Sequence, residues 1–193
     1  MSYLIVGLVV FLGVHSLRIF ADDWRTRTIA RIGVLPWKAA YSLLSIAGLV
    51  LIIWGYSLAR SQPVLLWSPP LGLRHLASLL TLLAFVLLLA AYLPGNSIKA
   101  RVHHPMILAV KVWALAHLLA NGNAADVVLF GSFLLWAVVD FSAARRRDRL
   151  AATVYAPGQL LPTLLTVVIG SVAWALFAIW LHGLLFGVQP FAR

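Results

Sequence analysis

Six apolar runs, each at or near the length that crosses a bilayer, follow one another with short connections between them. A helical span needs roughly 20 apolar residues at a rise of about 1.5 Å per residue. The runs are Tyr3 to Phe20, Trp37 to Leu58, Leu73 to Leu93, Pro105 to Ala120, Ala124 to Phe141 and Leu161 to Phe186. The fourth is short and contains Lys111, and only Asn121-Gly122-Asn123 separates it from the fifth, which predicts a tight helical turn. Charged residues make up 10% of the chain and hydrophobic ones 63%, too little charge to coat a soluble surface around so apolar a core. The expectation is an all-α integral membrane bundle of about six transmembrane helices, forming one domain over residues 1–193.

The formal net charge of +10 would point to nucleic acid in a soluble protein. Here the basic residues gather between the apolar runs, so no nucleic-acid partner is expected. Arg18, Arg25, Arg27, Arg31 and Lys38 follow the first run, Lys99 and Arg101 the third, and Arg145, Arg146, Arg147 and Arg149 the fifth. Odd-numbered connections therefore face the cytoplasm and the N-terminus the outer side. A cleaved signal peptide is not expected, because the first run lacks a basic leading segment and a small-residue cleavage site. Trp24, Trp37, Trp54, Trp67 and Trp180 fall near the expected interfaces, where indoles anchor helices.

Polar groups inside a bilayer are costly, so each one needs a reason. The candidates are His15, His75, His103, His104, His117, His182, Lys111, Asp126 and Asp140. There is no cysteine, which excludes disulfides, thiolate catalysis and iron–sulfur ligation. No helix carries a His pair at zinc-binding spacing, and the adjacent His103 and His104 point to different helix faces. Histidines scattered one per run suit haem better, since its axial ligands approach from opposite sides. Helix capping competes for His104, which precedes Pro105, and for Asp126 near the start of the fifth run.

Two stretches carry a resemblance. One is Gly13-Val14-His15-Ser16-Leu17-Arg18; the other runs from His103-His104-Pro105-Met106 through Trp113-Ala114-Leu115-Ala116-His117 to Asn121-Gly122-Asn123. Together they resemble the NnrU family of bacterial membrane proteins, and with it the plant and cyanobacterial cis-zeta-carotene isomerases. The resemblance implies a multi-pass protein of the bacterial inner membrane that binds haem b, linked to nitrite and nitric oxide metabolism. It implies His15 and His117 as axial ligands of the iron. His104 is kept as a second candidate because His15 and His104 share one expected membrane level. The implied partners are the lipid bilayer, haem, and a hydrophobic small molecule or redox partner. If the protein is an enzyme, the resemblance implies a haem-dependent isomerase or oxidoreductase. The isomerases carry a cysteine in the Trp-x-Leu-Ala-His element, where this chain has Ala114. Two other readings compete. One is an accessory membrane protein of denitrification or respiratory complexes. The other is a membrane methyltransferase using S-adenosylmethionine, whose glutamate pair has no counterpart here, since the chain has no glutamate.

Overall fold

The computed structural model of the chain describes residues 1–191. Ten α-helices follow in order: α1 Ser2–His15, α2 Leu17–Phe20, α3 Asp22–Ile32, α4 Val34–Ser61, α5 Leu71–Tyr92, α6 Ser97–Val102, α7 Pro105–Ala120, α8 Ala124–Leu150, α9 Leu160–Leu176 and α10 His182–Phe186. A π-helical turn, Phe177–Leu181, joins the last two. No strand forms among the described residues; the all-α expectation holds.

Four helical segments are long and apolar enough to cross a membrane: α4, α5, α8 and the continuous stretch Leu160–Phe186. The other two expected spans form shorter apolar helices, α1 with 14 residues and α7 with 16. At 1.5 Å per residue these measure about 21 and 24 Å, short of a hydrocarbon core about 30 Å thick. The first run, expected to extend to Phe20, is interrupted at Ser16. There Ser16 Oγ donates to Leu12 O (2.7 Å) and the His15 ring bonds Phe11 O, so two side chains compete for carbonyls of the last turn. The fifth run, expected to stop at Phe141, continues as helix through its arginines to Leu150. Large side chains such as Leu43, Leu79 and Trp180 lie at least 65% exposed, a surface that lipid solvates and water does not. The chain is a multi-pass membrane protein.

Its residues group into two compact units, each discontinuous in sequence. Unit one comprises residues 1–68 and 121–143, and unit two residues 69–120 and 144–193.

In unit one, α1 and α4 run antiparallel and almost touch, because glycine stands at each close approach. A Cβ on Gly7 would lie 2.6 Å from Ile52 N, and one on Gly48 would lie 2.8 Å from Phe11 N. A Cβ on Gly55 would overlap the Leu4 backbone. Small residues substitute here for a hydrophobic driving force, which apolar helices in lipid do not feel towards each other. Gly33, at a φ of 88°, ends α3 and lets α4 begin at Val34. The connection after α4 pairs with the start of α8: Ala124 N donates to Val64 O (2.9 Å) and Leu66 N to Gly122 O (2.8 Å).

In unit two, α5 packs against both α7 and α9. A Cβ on Gly170 would lie 2.9 Å from Val86 Cα, and Trp174 Nε1 donates to Thr81 Oγ1 (3.0 Å), which sets α5 and α9 antiparallel. The facing residues are mostly small, including Ala77, Ala84, Ala90, Ala109, Ala114 and Ala116, all buried. The turn after α5 is organised by Asn96, only 2% exposed. Its Oδ1 accepts from Lys99 N (2.7 Å) as the N-cap of α6, while its Nδ2 donates to Ala90 O (3.0 Å).

Candidate functional site

His15 occupies the last turn of α1 in unit one. Its Nδ1 lies 2.7 Å from Phe11 O. A carbonyl can only accept, so Nδ1 carries the hydrogen and Nε2 keeps the lone pair of the neutral ring. Among the described residues no hydrogen bond reaches that Nε2. The imidazole stacks on Phe11 (centroids 4.2 Å apart, planes at 29°), tilts against Tyr41 of α4 and meets Trp136 of α8 edge-on. Two polar atoms in this unit are buried without a partner: Trp136 Nε1 and Ser45 Oγ. Ser45 lies one turn beyond Tyr41, on the same face of α4. Burying such atoms unpaired is costly, and Trp136 lies against the His15 ring.

Asp126, also in unit one, takes the structural role. It is 3% exposed, and its Oδ2 accepts from Asn123 N (3.3 Å) and Asn123 Nδ2 (3.1 Å). Its other oxygen accepts from the Tyr56 hydroxyl. Asp126 thus satisfies the backbone and side-chain amides of Asn123, the residue before α8, as the capping reading of Asp126 expected.

Unit two holds the other histidines. His117, on α7, bonds Trp113 O through Nδ1 (2.9 Å), the same arrangement as His15. His104, just before α7, instead uses Nε2, which donates to Asp148 Oδ2 (2.7 Å). His103 and His104, expected on different helix faces, lie between α6 and α7 and take different partners: His103 Nδ1 accepts from Arg145, and its ring stacks flat on Tyr155 (4.0 Å, 9°). His103 has φ 65° and ψ −46°, and His104 N bonds Val102 O (2.8 Å), which closes a γ-turn of the strained hand. Tyr155 completes the cluster by donating to Asp148 Oδ2 (3.0 Å). Burial and the Asp148 carboxylate push the Tyr155 hydroxyl above its usual range. His75 is exposed on α5, and His182 bonds Val188 O (2.7 Å) after the π-turn. Among the described residues no three histidine or carboxylate groups converge on a metal position; axial ligation of a haem needs no such convergence.

The chain matches the family model described as NnrU protein over residues 3–190. It belongs to the NnrU family. No curated protein and no solved structure matches it. The NnrU match spans both units, so the two motif stretches read in the sequence and the C-terminal helices belong to one family unit of sequence. Of the residues that sequence reading proposed for this NnrU protein, His15 and His117 are set alike and lie in different units, and His104 is committed to Asp148. Sequence reading did not find the cluster built by Arg145, Asp148 and Tyr155 around His103. Asp148 lies among arginines that read as a topology signal, and Tyr155 lies in a connection with no motif. It also missed Trp136 and Ser45, whose types are ordinary in an apolar helix and whose unpaired atoms only packing reveals.

Proposed function

We propose that this NnrU-family protein binds haem b in the bacterial inner membrane, with His15 as an iron ligand, and acts in electron transfer. The observation that carries the reading is the His15 ring, whose Nδ1–H is spent on its own helix while Nε2 has no partner among aromatic neighbours. Ligating histidines are commonly oriented this way, by a hydrogen bond from the other ring nitrogen to a carbonyl. Phe11, Tyr41 and Trp136 supply the apolar wall a porphyrin needs, and Trp136 Nε1 is an unpaired donor suited to a polar edge of such a group. His117, the second imidazole of the sequence reading, likewise bonds a carbonyl of its own helix through Nδ1. His104 fits less well, because its Nε2 already serves Asp148. When bound, haem iron supplies one-electron redox chemistry; the chain's own part is to orient the imidazoles through Nδ1 and exclude water. Carotenoid isomerisation is disfavoured by Ala114, fully buried where the isomerases carry cysteine. A methyltransferase is disfavoured by the absence of glutamate.

The test is the purified protein expressed with ample haem. A Soret band and split visible bands on reduction are expected, with near-stoichiometric haem. His15→Ala and His117→Ala each lose haem, whereas His75→Ala and His182→Ala retain it. A haem-free parent, or six single histidine variants all matching the parent, refutes the reading and leaves the accessory-protein alternative in the nitrite and nitric oxide pathway.

A further inference from the structure

An open recess of about 190 Å³ lies in unit two, lined by His103, Arg145, Asp148, Arg149, Ala152 and Thr153. One water needs only roughly 10–15 Å³, so this space takes a group of several heavy atoms. Its charges are unevenly matched. Asp148 accepts from both His104 and Tyr155 through one oxygen, Oδ2. The Arg149 side chain makes no hydrogen bond or ion pair among the described residues. Arg145 is paired with a histidine nitrogen rather than a carboxylate. That choice matters electrostatically. A carboxylate would orient the guanidinium and cancel its charge, whereas the Nδ1 lone pair of a neutral imidazole orients it and leaves the charge in place. The strained γ-turn at His103, braced by the Tyr155 stack, is what aims that lone pair.

The recess therefore presents two arginines, one oriented and one unpaired, against a single carboxylate that is bonded through Oδ2, an excess of positive charge. Both arginines sit on the final turns of α8, just past the apolar run that ends at Phe141. This is headgroup depth, and planar guanidinium forks match phosphate oxygens. We propose that the recess binds a phosphate oxyanion, as carried by an anionic lipid headgroup or by free phosphate, through Arg145 and Arg149. His103 acts as a positioning residue for Arg145. The site shares none of its phosphate-binding side chains with the haem reading and stands without it.

The experiment counts phosphatidic acid adducts on the purified full chain by native mass spectrometry, with phosphatidylcholine as the neutral reference. Inorganic phosphate is titrated separately, with the thermal midpoint as readout. Arg149→Gln is expected to weaken binding about fivefold, the equivalent of ~1 kcal/mol per basic group at a membrane surface. Arg146→Gln removes the same charge from an exposed position outside the recess and should leave binding near the parent's. His103→Asn keeps an uncharged acceptor beside Arg145, whereas His103→Asp cancels the charge; the first should bind and the second should not. Preference for phosphatidic acid alone identifies a lipid ligand, and a midpoint raised by inorganic phosphate and lost in Arg149→Gln identifies a free one. Equal weakening by Arg146→Gln and Arg149→Gln, equal binding by the two His103 variants, or no preference for either probe overturns the proposal.

Discussion

Replacing Gly48 by alanine tests whether the α1–α4 contact is as close as the backbone geometry requires, and whether it controls His15. The new Cβ would lie 2.8 Å from Phe11 N and 3.0 Å from Phe11 Cβ, where ordinary contact begins at 3.4 Å. Backbone cannot rotate away, so the helices must part by about 0.6 Å, a gap that forfeits roughly a quarter of the contact energy of atoms across it. Overpacking of this kind costs about 1–3 kcal/mol, while alanine gains up to about 1 kcal/mol over glycine in a helix. The packing cost outweighs the helix gain, and the net loss reaches about 2 kcal/mol. Gly131→Ala is the internal reference, because its Cβ meets nothing within 4 Å, so only the helix gain remains. The gap between the two variants, about 1–3 kcal/mol, isolates the steric term. Denaturant unfolding in mixed micelles, followed by helical circular dichroism, measures it. The displaced residue, Phe11, both stacks on His15 and accepts its Nδ1–H, so Gly48→Ala should also lower haem content. Equal stability of the Gly48 and Gly131 variants would refute the close-contact reasoning, and lost stability with full haem would uncouple the contact from His15.

Two further outcomes follow from the hydrogen-bond networks. Tyr56→Phe removes a donor to the buried Asp126 carboxylate and should cost about 2 kcal/mol, within the usual range for bonds to charged groups; unchanged unfolding would contradict the burial of that pair. Tyr155 is raised by burial and by Asp148, so the stability it contributes is full below pH 10 and is lost as pH rises through its higher folded value. The tyrosinate absorbance difference between the parent and Tyr155→Phe should therefore show a midpoint above 10, and a midpoint at or below 10 would remove Tyr155 from the Asp148 cluster.

The membrane character, the helical class and most helix boundaries were legible in the sequence, because lipid imposes a local rule. Every backbone polar group in the hydrocarbon layer must be satisfied within its own segment, so apolar length alone announces a helix. The start of α7 at Pro105 and the capping role of Asp126 were readable for the same reason, being decided by neighbours within a few residues. The family was readable because His15 and the block from His103 to Asn123 keep a spacing along the chain. Other features escape a reading of residue types along the chain. The early end of α1 and the continuation of α8 past Phe141 depend on which carbonyls are taken and on a run of arginines that remain helical. That His104 spends Nε2 on Asp148 while His15 and His117 each spend Nδ1 on a carbonyl of their own helix is set by partners, which residue type does not reveal. Arg145 shows the difference most clearly. In the chain it is one of several arginines after an apolar run, and only the fold, by turning His103 through a strained backbone and laying Tyr155 against it, makes its charge oriented and uncancelled.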